Sequence, residues 1–263
     1  MPEVVTGTAL RHWTLCHDDT MPVELSIPTM PDAGEIHAWT VPCSGGDEEA
    51  DELLACLSAR ERHRTARMTD AAARSAFIIG RARVRQILGG YVAQPPATLD
   101  VVAREHGKPV LAGAPPWFDF SFSRCARLHV CAIAVNRRVG TDVEMVGSGR
   151  DADAIASTYF THDERAWLAA LAAPERAAAF AAIWVKKEAF IKAVGSGLRL
   201  PLDSYRVPRE DEGWIEGPDS NANAVRWRVR AFSPAAHHVE YGTVVGAVVA
   251  EGDWRLTIIP WPG

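Results

Sequence analysis

The sequence predicts an α+β fold built from two similar lobes related by a pseudo-twofold axis, with the active site in the cleft between them. The first observation is the order of elements, because a long helical pattern followed by antiparallel strand patterns occurs once in each half of the chain. The second is length, since 263 residues divide into two lobes of ordinary domain size. We place these lobes at residues 1–136 and 137–263, and ligand sites commonly lie between such lobes.

The first half begins with one strand pattern and then becomes helical. Apolar and polar residues alternate in part from Glu35 to Val41. A helical pattern starts at Asp47, and a longer one starts after the candidate N-cap Asp70 and is expected to stop at Gly89-Gly90. The remaining strands predicted in this half are Leu99 to Arg104, Pro109 to Leu111, Trp117 to Ser121 and Arg127 to Val135.

The second half opens with a strand from Val139 to Val146, which Asn136-Arg137-Arg138 is expected to join to the preceding strand as a hairpin. A loop and Ala-rich helical segments follow. The remaining elements predicted in this half are a long helix from Ala177 to Val194 and strands from Ala224 to Phe232 and from Tyr241 to Val249.

The bulk composition excludes several classes of function. A net charge of −5 and a pI near 6.0 give no electrostatic basis for nucleic-acid binding. The five cysteines form no C-x-x-C pair, and their odd number indicates reduced thiols and not a disulfide framework. The sequence shows neither a signal-peptide pattern nor a long apolar run, so we expect a cytoplasmic protein without a membrane partner.

The stretch VGTDVEMV, from Val139 to Val146, places two carboxylates side by side. Alternate residues of a strand share a face, so Asp142 and Glu144 are expected to point in the same direction. Neighbouring carboxylates repel each other unless a cation or protons intervene. The pattern therefore indicates a site for Mg²⁺, with Mn²⁺ as an acceptable substitute, and the alternative is a strand end with both carboxylates in solvent.

The helix containing WVKKEAFIK carries Lys187, Glu188 and Lys192. Glu188 and Lys192 stand at positions i and i+4, so one interpretation is a surface ion pair worth about 0.2–0.5 kcal/mol. If the helix faces the acidic strand instead, three carboxylates and two ammonium groups converge. That combination suits phosphate or pyrophosphate chemistry, with carboxylates on a metal ion and lysines on anionic oxygens.

These two stretches resemble the paired signature G-x-D-x-E and W-x-x-K-E-[AS]-x-x-K of the 4′-phosphopantetheinyl transferases. Three further matches are Gly107-Lys108-Pro109, F-D-F-S-F-S from Phe118 to Ser123, and G-S-G-L-R-L-P-L-D-S from Gly195 to Ser204. They occur in the order and at the spacing of the family. Chain length and the two lobes point to the larger, monomeric subfamily that acts on carrier domains of peptide and polyketide synthases.

The resemblance implies a reaction. Coenzyme A would be the substrate, with its pyrophosphate on Mg²⁺, and a serine hydroxyl of an apo acyl or peptidyl carrier protein would attack the β-phosphorus and release 3′,5′-ADP. The implied metal ligands are Asp142, Glu144 and Glu188, and Glu188 is also the expected general base. Lys192 would stabilise the charge on the pyrophosphate or protonate the leaving group, and Lys187 would hold phosphate oxygens.

The implied contacts to the nucleotide end lie in the first lobe. Lys108 falls on the G-K-P lysine of the family and Ser121 on its serine beside the adenosine. Arg64, from the basic segment ARERHRTARM, is our choice for the 3′-phosphate, and the alternative for that segment is a solvated helix face.

The sequence departs from the family at one of these positions. The family often has Ser-His where this sequence has Ser121-Phe122, and a phenylalanine cannot donate to a phosphate. One interpretation is that recognition of the 3′-phosphate depends on Arg64, on Lys108 or on a further arginine, or is weaker than usual. The alternative is that Phe122 is an ordinary core residue of an alternating strand.

Two other functions stay open on the sequence alone. One is a Mg²⁺-dependent phosphohydrolase that uses the same three carboxylates with water as the nucleophile. The other is a non-catalytic carrier-binding protein of the same fold. From the general arrangement of the family, we expect a carrier to meet the surface from about Gly147 to Leu171 together with the second lobe.

Overall fold

The computed structural model describes residues 10–13, 25–104, 106–125, 128–147, 151–217, 225–234 and 243–262, with the backbone alone at 10–13, 25–27 and 198. The α-helices of this described part are α1 (Asp47–Leu53), α2 (Ala59–Thr65), α3 (Ala71–Val92), α4 (Ala152–Tyr159), α5 (His162–Ala169) and α6 (Ala173–Val194). Short 3₁₀ turns occur at Leu54–Cys56, Pro96–Thr98, Gly197–Arg199 and Leu202–Ser204.

Within the described residues, the strands form two four-stranded sheets and two small ribbons. The strands of the described chain are β1 (Leu10–Trp13), β2 (Leu25–Pro28), β3 (Glu35–Pro42), β4 (Val101–Ala103), β5 (Pro109–Leu111), β6 (Phe118–Cys125), β7 (Leu128–Val135), β8 (Val139–Met145), β9 (Glu212–Trp214), β10 (Trp227–Phe232), β11 (Val244–Glu251) and β12 (Arg255–Pro260). The ribbons are β1 with β2 and β4 with β5.

The first large sheet has the strand order β12-β3-β7-β6. All of its pairings are antiparallel except that of β3 with β12. Helix α3 lies against this sheet, and Ile87 and Leu88 pack there with Trp39, Phe120 and Ile133 in one buried cluster. Asp70 caps α3 as expected, because its Oδ1 accepts from the Ala73 backbone N–H at 2.7 Å.

The second large sheet has the strand order β8-β11-β10-β9 and is antiparallel throughout. Helix α6 packs on it, with Val185 and Ala189 in a buried cluster that includes Val229 and Val249. A further cluster joins the two sheets, because Val130 and Ala132 of β7 pack with residues of β8, β11 and β12. Within the residues described, no helix is both long enough and apolar enough to span a lipid bilayer.

The mixed α+β class is confirmed, and most predicted strands form. The predicted hairpin at Asn136-Arg137-Arg138 is wrong, because β7 and β8 belong to different sheets and the segment carries the chain from one sheet to the other. Asn136 adopts a φ of 55°, a left-handed conformation that asparagine tolerates better than most residues.

Two boundaries also differ from the predictions. Helix α3 continues through Gly89-Gly90 to Val92, because each glycine costs a helix only about 1 kcal/mol and the surrounding packing outweighs that cost. The division at residue 136 does not hold at the end of the chain, since β12 pairs in parallel with β3 in the first sheet. Residues 255–260 therefore belong with the first half.

Candidate functional site

Helix α6 lies directly against strand β8 because the contact point on the strand is a glycine. A Cβ placed on Gly140 would lie 2.0 Å from the Ala189 carbonyl oxygen and 2.4 Å from the Ala193 amide nitrogen. Any other residue at this position would push the helix away. The glycine of the G-x-D-x-E pattern thus brings the basic helix next to the acidic strand.

Lys192 and Asp142 meet at this contact, so helix α6 does face the acidic strand, the arrangement that the sequence left open. The Lys192 Nζ donates to Asp142 Oδ1 at 2.6 Å and to the Ser123 Oγ at 3.0 Å. The Ser123 hydroxyl in turn donates to Asp142 Oδ1 at 2.6 Å. We call Asp142, Ser123 and Lys192 the acid–lysine centre. Its lysine side chain is 29 % exposed, whereas the aspartate side chain is only 6 % exposed.

The second strand carboxylate shares the face of Asp142. Burial raises the pKa of the Cys125 thiol to about 12, and the negative charges of Glu144 and Asp142 add to that shift, so both carboxylates lie near the same sulfur. The other oxygen of Asp142, Oδ2, is buried and has no hydrogen-bond partner among the described residues. A buried carboxylate oxygen without a partner is costly unless a cation or donor arrives, so these residues fit a hard divalent ion.

The predicted set of three carboxylates is not assembled in this structure. Among the described residues, no group of three or more His, Cys, Asp or Glu side chains lies close enough together to hold a metal ion. Glu188 is half-buried one helical turn before Lys192, and its charge acts on Tyr205, whose pKa is raised first by burial and then by Glu188 and Glu164. It would have to move towards Asp142 to act as a third ligand.

The prediction that Lys187 holds phosphate oxygens is wrong for this structure. Its side chain is fully buried, and Nζ donates to the carbonyl oxygens of Leu202 and Tyr205 at 2.6 and 2.8 Å. It also pairs with Glu164 Oε2 at 3.0 Å. Burial lowers the pKa of Lys187, and the Glu164 carboxylate opposes that shift. Lys187 therefore fixes the segment after α6 instead of facing a ligand.

Strand β6 presents two different faces, which follow from the alternation in F-D-F-S-F-S. Phe118 and Phe120 point to the α3 side, where they pack in the buried cluster that contains Ile87 and Leu88. Asp119 and Ser121 point to β8, where their side chains accept from the backbone N–H groups of Val139 and Thr141 at 2.9 and 3.1 Å. The polar face of β6 therefore holds strand β8 in place.

Two predicted nucleotide contacts are contradicted by this arrangement. Ser121 is only 3 % exposed and its hydroxyl is engaged with β8, so it does not face a ligand. Lys108 is buried, and its Nζ donates to Asp119 Oδ2 at 2.6 Å and to the Val139 carbonyl at 3.0 Å. Burial lowers the pKa of Lys108, and Asp119 opposes that shift. Both residues stabilise the junction of the two sheets.

Arg64 does lie where an anion could bind, in a cavity of about 500 Å³ on the α3 side of β6. The cavity is lined by residues from α2 and its N-cap, from α3, from the β4–β5 ribbon, and from β6 and β7, and we call it the arginine cavity. Its charged and aromatic lining residues are Arg60, Glu61, Arg64, Phe77, Arg81, Phe122, Arg124 and His129.

Positive charge exceeds negative charge in the arginine cavity. Glu61 is paired with Arg81 and, at 2.6 Å, with Arg85. Burial alone would raise the pKa of Glu61, but Arg81 and hydrogen bonds from Ser58 lower it to about 2. Within the part of the chain that the structure describes, Arg60, Arg64 and Arg124 form no ion pair with a carboxylate. Three guanidinium groups without carboxylate partners suit a phosphorylated ligand.

Phe122 belongs to both the core and the cavity. Its ring stacks on Phe120 with the planes 5° apart, and the Arg81 guanidinium lies 4.8 Å above the ring centroid. The residue also lines the arginine cavity. His129 lines it as well, but burial followed by the charges of Arg124 and Arg81 lowers the pKa of His129 to about 4, so its ring is neutral near pH 7.

The sequence interpretation missed Ser123 and Arg124. Both were within reach of the alternation rule, because Ser123 shares the face of Ser121 and Arg124 shares the face of Phe122. Arg81 was missed for a different reason: the pattern of its helix does not show which other elements the side chain contacts. Only the three-dimensional contact between Arg81 and the Phe122 ring shows that Arg81 belongs to the cavity.

One face of β6 borders a cavity whose Arg60, Arg64 and Arg124 have no carboxylate partner among the described residues, and the other face borders carboxylates and a lysine. This arrangement fits a protein that binds a phosphorylated ligand together with a divalent cation. Comparison with known proteins identifies the family. Residues 138–249 match the family model of the 4′-phosphopantetheinyl transferase superfamily.

Named relatives agree with that match. The chain is 31 % identical to the 4′-phosphopantetheinyl transferase HetI of Nostoc sp. (strain PCC 7120) over 62 % of this chain and 70 % of HetI. It is 32 % identical to a 4′-phosphopantetheinyl transferase of Bacillus subtilis over 68 % of this chain and 79 % of that relative. With Sfp of B. subtilis strain 168 the identity is 28 %, over 66 % and 77 % of the two chains. The chain belongs to the 4′-phosphopantetheinyl transferase superfamily, as its motifs predict.

Proposed function

We propose that this protein transfers the 4′-phosphopantetheine group of coenzyme A to a serine hydroxyl of an apo acyl or peptidyl carrier protein and releases 3′,5′-ADP. The names of its relatives support a transferase of this kind. The observation that carries the proposal within this chain is the acid–lysine centre, in which α6 and β8 bring Lys192 to Asp142 at 2.6 Å.

The metal side of the site would consist of Asp142 and Glu144. Mg²⁺ usually takes one or two carboxylates and completes its shell with water and substrate phosphate, which agrees with two neighbouring carboxylates and a free Asp142 Oδ2. When bound, the ion would neutralise charge on the pyrophosphate. Mn²⁺ would substitute, because it prefers the same oxygen ligands.

The proton and charge transfers would fall to helix α6. Glu188 would take the proton from the carrier serine, directly or through a water, while the serine oxygen bonds to the β-phosphorus and the phosphoanhydride bond to 3′,5′-ADP breaks. Lys192, partly exposed and one turn further along, would turn from Asp142 to stabilise the charge on the departing phosphate.

The nucleotide end of coenzyme A would bind in the arginine cavity, with Arg64 as one contact to the 3′-phosphate. Because Lys108 and Ser121 are engaged inside the protein, the other contacts would come from further arginines of the cavity. Arg124 is one of these, since it lines the cavity on the same strand face as Phe122 and forms no ion pair within the described residues. A histidine after Ser121 would then be unnecessary.

The carrier protein would meet helices α4 and α5 and the first turns of α6. A groove of about 390 Å³ runs between these helices, and Leu168 and Phe180 line it together with Arg165 and Arg176. Asp153 also lines the groove, but the two arginines leave it with a net positive charge. Apolar and basic side chains together favour an amphipathic carrier segment with acidic residues. The site would thus lie between two lobes of a monomer, with coenzyme A on the first lobe and the carrier on the second.

The test is to incubate the purified protein with coenzyme A, Mg²⁺ and a panel of apo carrier domains, and to measure the intact mass of each carrier. We expect at least one carrier to gain a phosphopantetheine group, and the gain to require Mg²⁺. Glu188→Gln should abolish it, whereas Glu52→Gln, an exposed glutamate on α1, should not.

Other outcomes would favour the other two functions. Release of inorganic phosphate or nucleotide without modification of any carrier would indicate a phosphohydrolase. Carrier binding without any mass gain would indicate a non-catalytic carrier-binding protein. Neither alternative is favoured by the relatives, all three of which are named as transferases.

A further inference from the structure

Within the acid–lysine centre, Ser123 is the member that comes from β6, and its hydroxyl is hydrogen-bonded to both Asp142 and Lys192. Its hydroxyl has one hydrogen to donate and two lone pairs to accept with. It donates to Asp142 Oδ1 at 2.6 Å and accepts from Lys192 Nζ at 3.0 Å. Asp119 and Ser121, on the same face of the strand, bond to backbone N–H groups of β8 instead.

We propose that Ser123 is a positioning residue for the transfer reaction, which holds the Asp142 carboxylate in the orientation that leaves Oδ2 free for Mg²⁺ and keeps Lys192 beside it. The inference rests on the proposed function. It adds a residue that touches neither the nucleotide end nor the carrier.

The hydrogen-bond pattern explains why the hydroxyl would matter. Two donors, from Ser123 and Lys192, converge on Oδ1 of Asp142, and Oδ2 receives none within the described residues. Without the hydroxyl, Lys192 alone would hold the carboxylate, which could then rotate and present both oxygens to the ammonium group. Carboxylates that ligate metals are commonly fixed by such outer hydrogen bonds, and loss of one typically weakens metal affinity or activity by about 10–100-fold.

Ser123 also lies between the two parts of the site. The neighbouring residues Phe122 and Arg124 face the arginine cavity, while Ser123 faces Asp142. A ligand that occupies the cavity therefore touches the same strand that orients the metal carboxylate. Strand β6 would thus fix the position of the nucleotide end of coenzyme A relative to its pyrophosphate.

The experiment measures coenzyme A binding by calorimetry with and without Mg²⁺, and carrier modification at several Mg²⁺ concentrations. For Ser123→Ala we expect the gain in coenzyme A affinity that Mg²⁺ produces to fall by about 10–100-fold, with a matching rise in the Mg²⁺ concentration needed for half-maximal rate. Binding without Mg²⁺ should change by less than about twofold, because the arginine cavity is intact. Ser123→Thr keeps the hydroxyl and should recover most of the loss.

The matched control is Ser75→Ala. Ser75 is also a serine whose hydroxyl donates to an aspartate at 2.6 Å, in this case Asp47 Oδ1, and it lies outside the site. A Mg²⁺ dependence for Ser123→Ala equal to that of the wild-type protein, or an equal effect in Ser75→Ala, would overturn the inference. A wild-type protein that modifies no carrier would instead contradict the proposed function.

Discussion

The two faces of strand β6 differ in how their charged side chains are paired. On the α3 side, Arg60, Arg64 and Arg124 line a cavity and form no ion pair within the described residues. On the β8 side, Asp142 and Lys192 are already paired with each other at 2.6 Å. The cavity is therefore ready for an anion as it stands, whereas the acid–lysine centre must exchange an internal ion pair for contacts to a ligand. Binding and turnover should accordingly depend on different faces.

The largest expected effect on carrier modification is at Gly140, which allows α6 to approach β8 and so supports the acid–lysine centre. In Gly140→Ala the new Cβ would collide with the backbone of α6 at Ala189 and Ala193, and backbone cannot move aside as a flexible side chain can. We expect stability to fall by at least about 1–3 kcal/mol and carrier modification to be lost. Urea unfolding and intact-mass assays would measure the two effects.

Gly34→Ala is the control, because nothing lies within 4 Å of a Cβ at that position. If the folded fraction of Gly140→Ala still binds 3′,5′-ADP, the cavity is independent of the centre. Normal carrier modification by Gly140→Ala would contradict the close contact between α6 and β8.

The next prediction concerns Lys187 and tests whether its role on α6 is structural or ligand-binding. Lys187→Met would leave Glu164 buried without its partner, and breaking a buried pair in this way typically costs about 3–5 kcal/mol. We expect that loss in the free energy of unfolding. The double variant Lys187→Met/Glu164→Gln should lose less, because no unpaired charge remains. A stable Lys187→Met protein with a raised KM for coenzyme A would contradict this structural role and would support the phosphate contact that the motif predicts.

Lys192→Met should lower the rate of transfer more than it lowers binding. Loss of a group that stabilises developing charge typically reduces kcat by about 10²–10³-fold. The KM for coenzyme A should change much less, since the arginine cavity is untouched. Steady-state kinetics with a single carrier domain would separate the two constants. An increase confined to KM would place Lys192 in ground-state binding instead of in the transfer step.

The sequence was informative wherever one element determined the outcome. Alternation along Val139–Met145 correctly places Asp142 and Glu144 on one face. Whether Lys192 of the helix reaches that strand was left open by the sequence, and the structure shows that it does. Sequence-based prediction failed where the role of a residue depends on a contact with a distant part of the chain. Lys187 and Lys192 look equivalent along α6, but the carbonyl oxygens that bury Lys187 belong to Leu202 and Tyr205, beyond the end of the helix.

The same limit explains the errors in the fold. Nothing within Arg255–Pro260 indicates that this strand pairs with β3, more than 200 residues earlier in the chain. The turn at Asn136-Arg137-Arg138 has the length of a hairpin, yet β6 and β3 already flank β7 in the first sheet. Strand β8 therefore starts a second sheet. Register and sheet membership depend on neighbours that a local pattern does not contain.

The smallest expected effect is on the other face of β6, at Arg124. Arg124→Met should raise the KM for coenzyme A about tenfold, equivalent to about 1.4 kcal/mol, while kcat stays close to that of the wild-type protein. The variant should also discriminate less between coenzyme A and its analogue without the 3′-phosphate, because the lost guanidinium would contact that phosphate. Arg226→Met, which removes an exposed arginine stacked on Trp214, is the control. If Arg124→Met lowered kcat instead, with discrimination intact, the cavity would contribute to the transfer step and the division of roles between the two faces of β6 would be wrong.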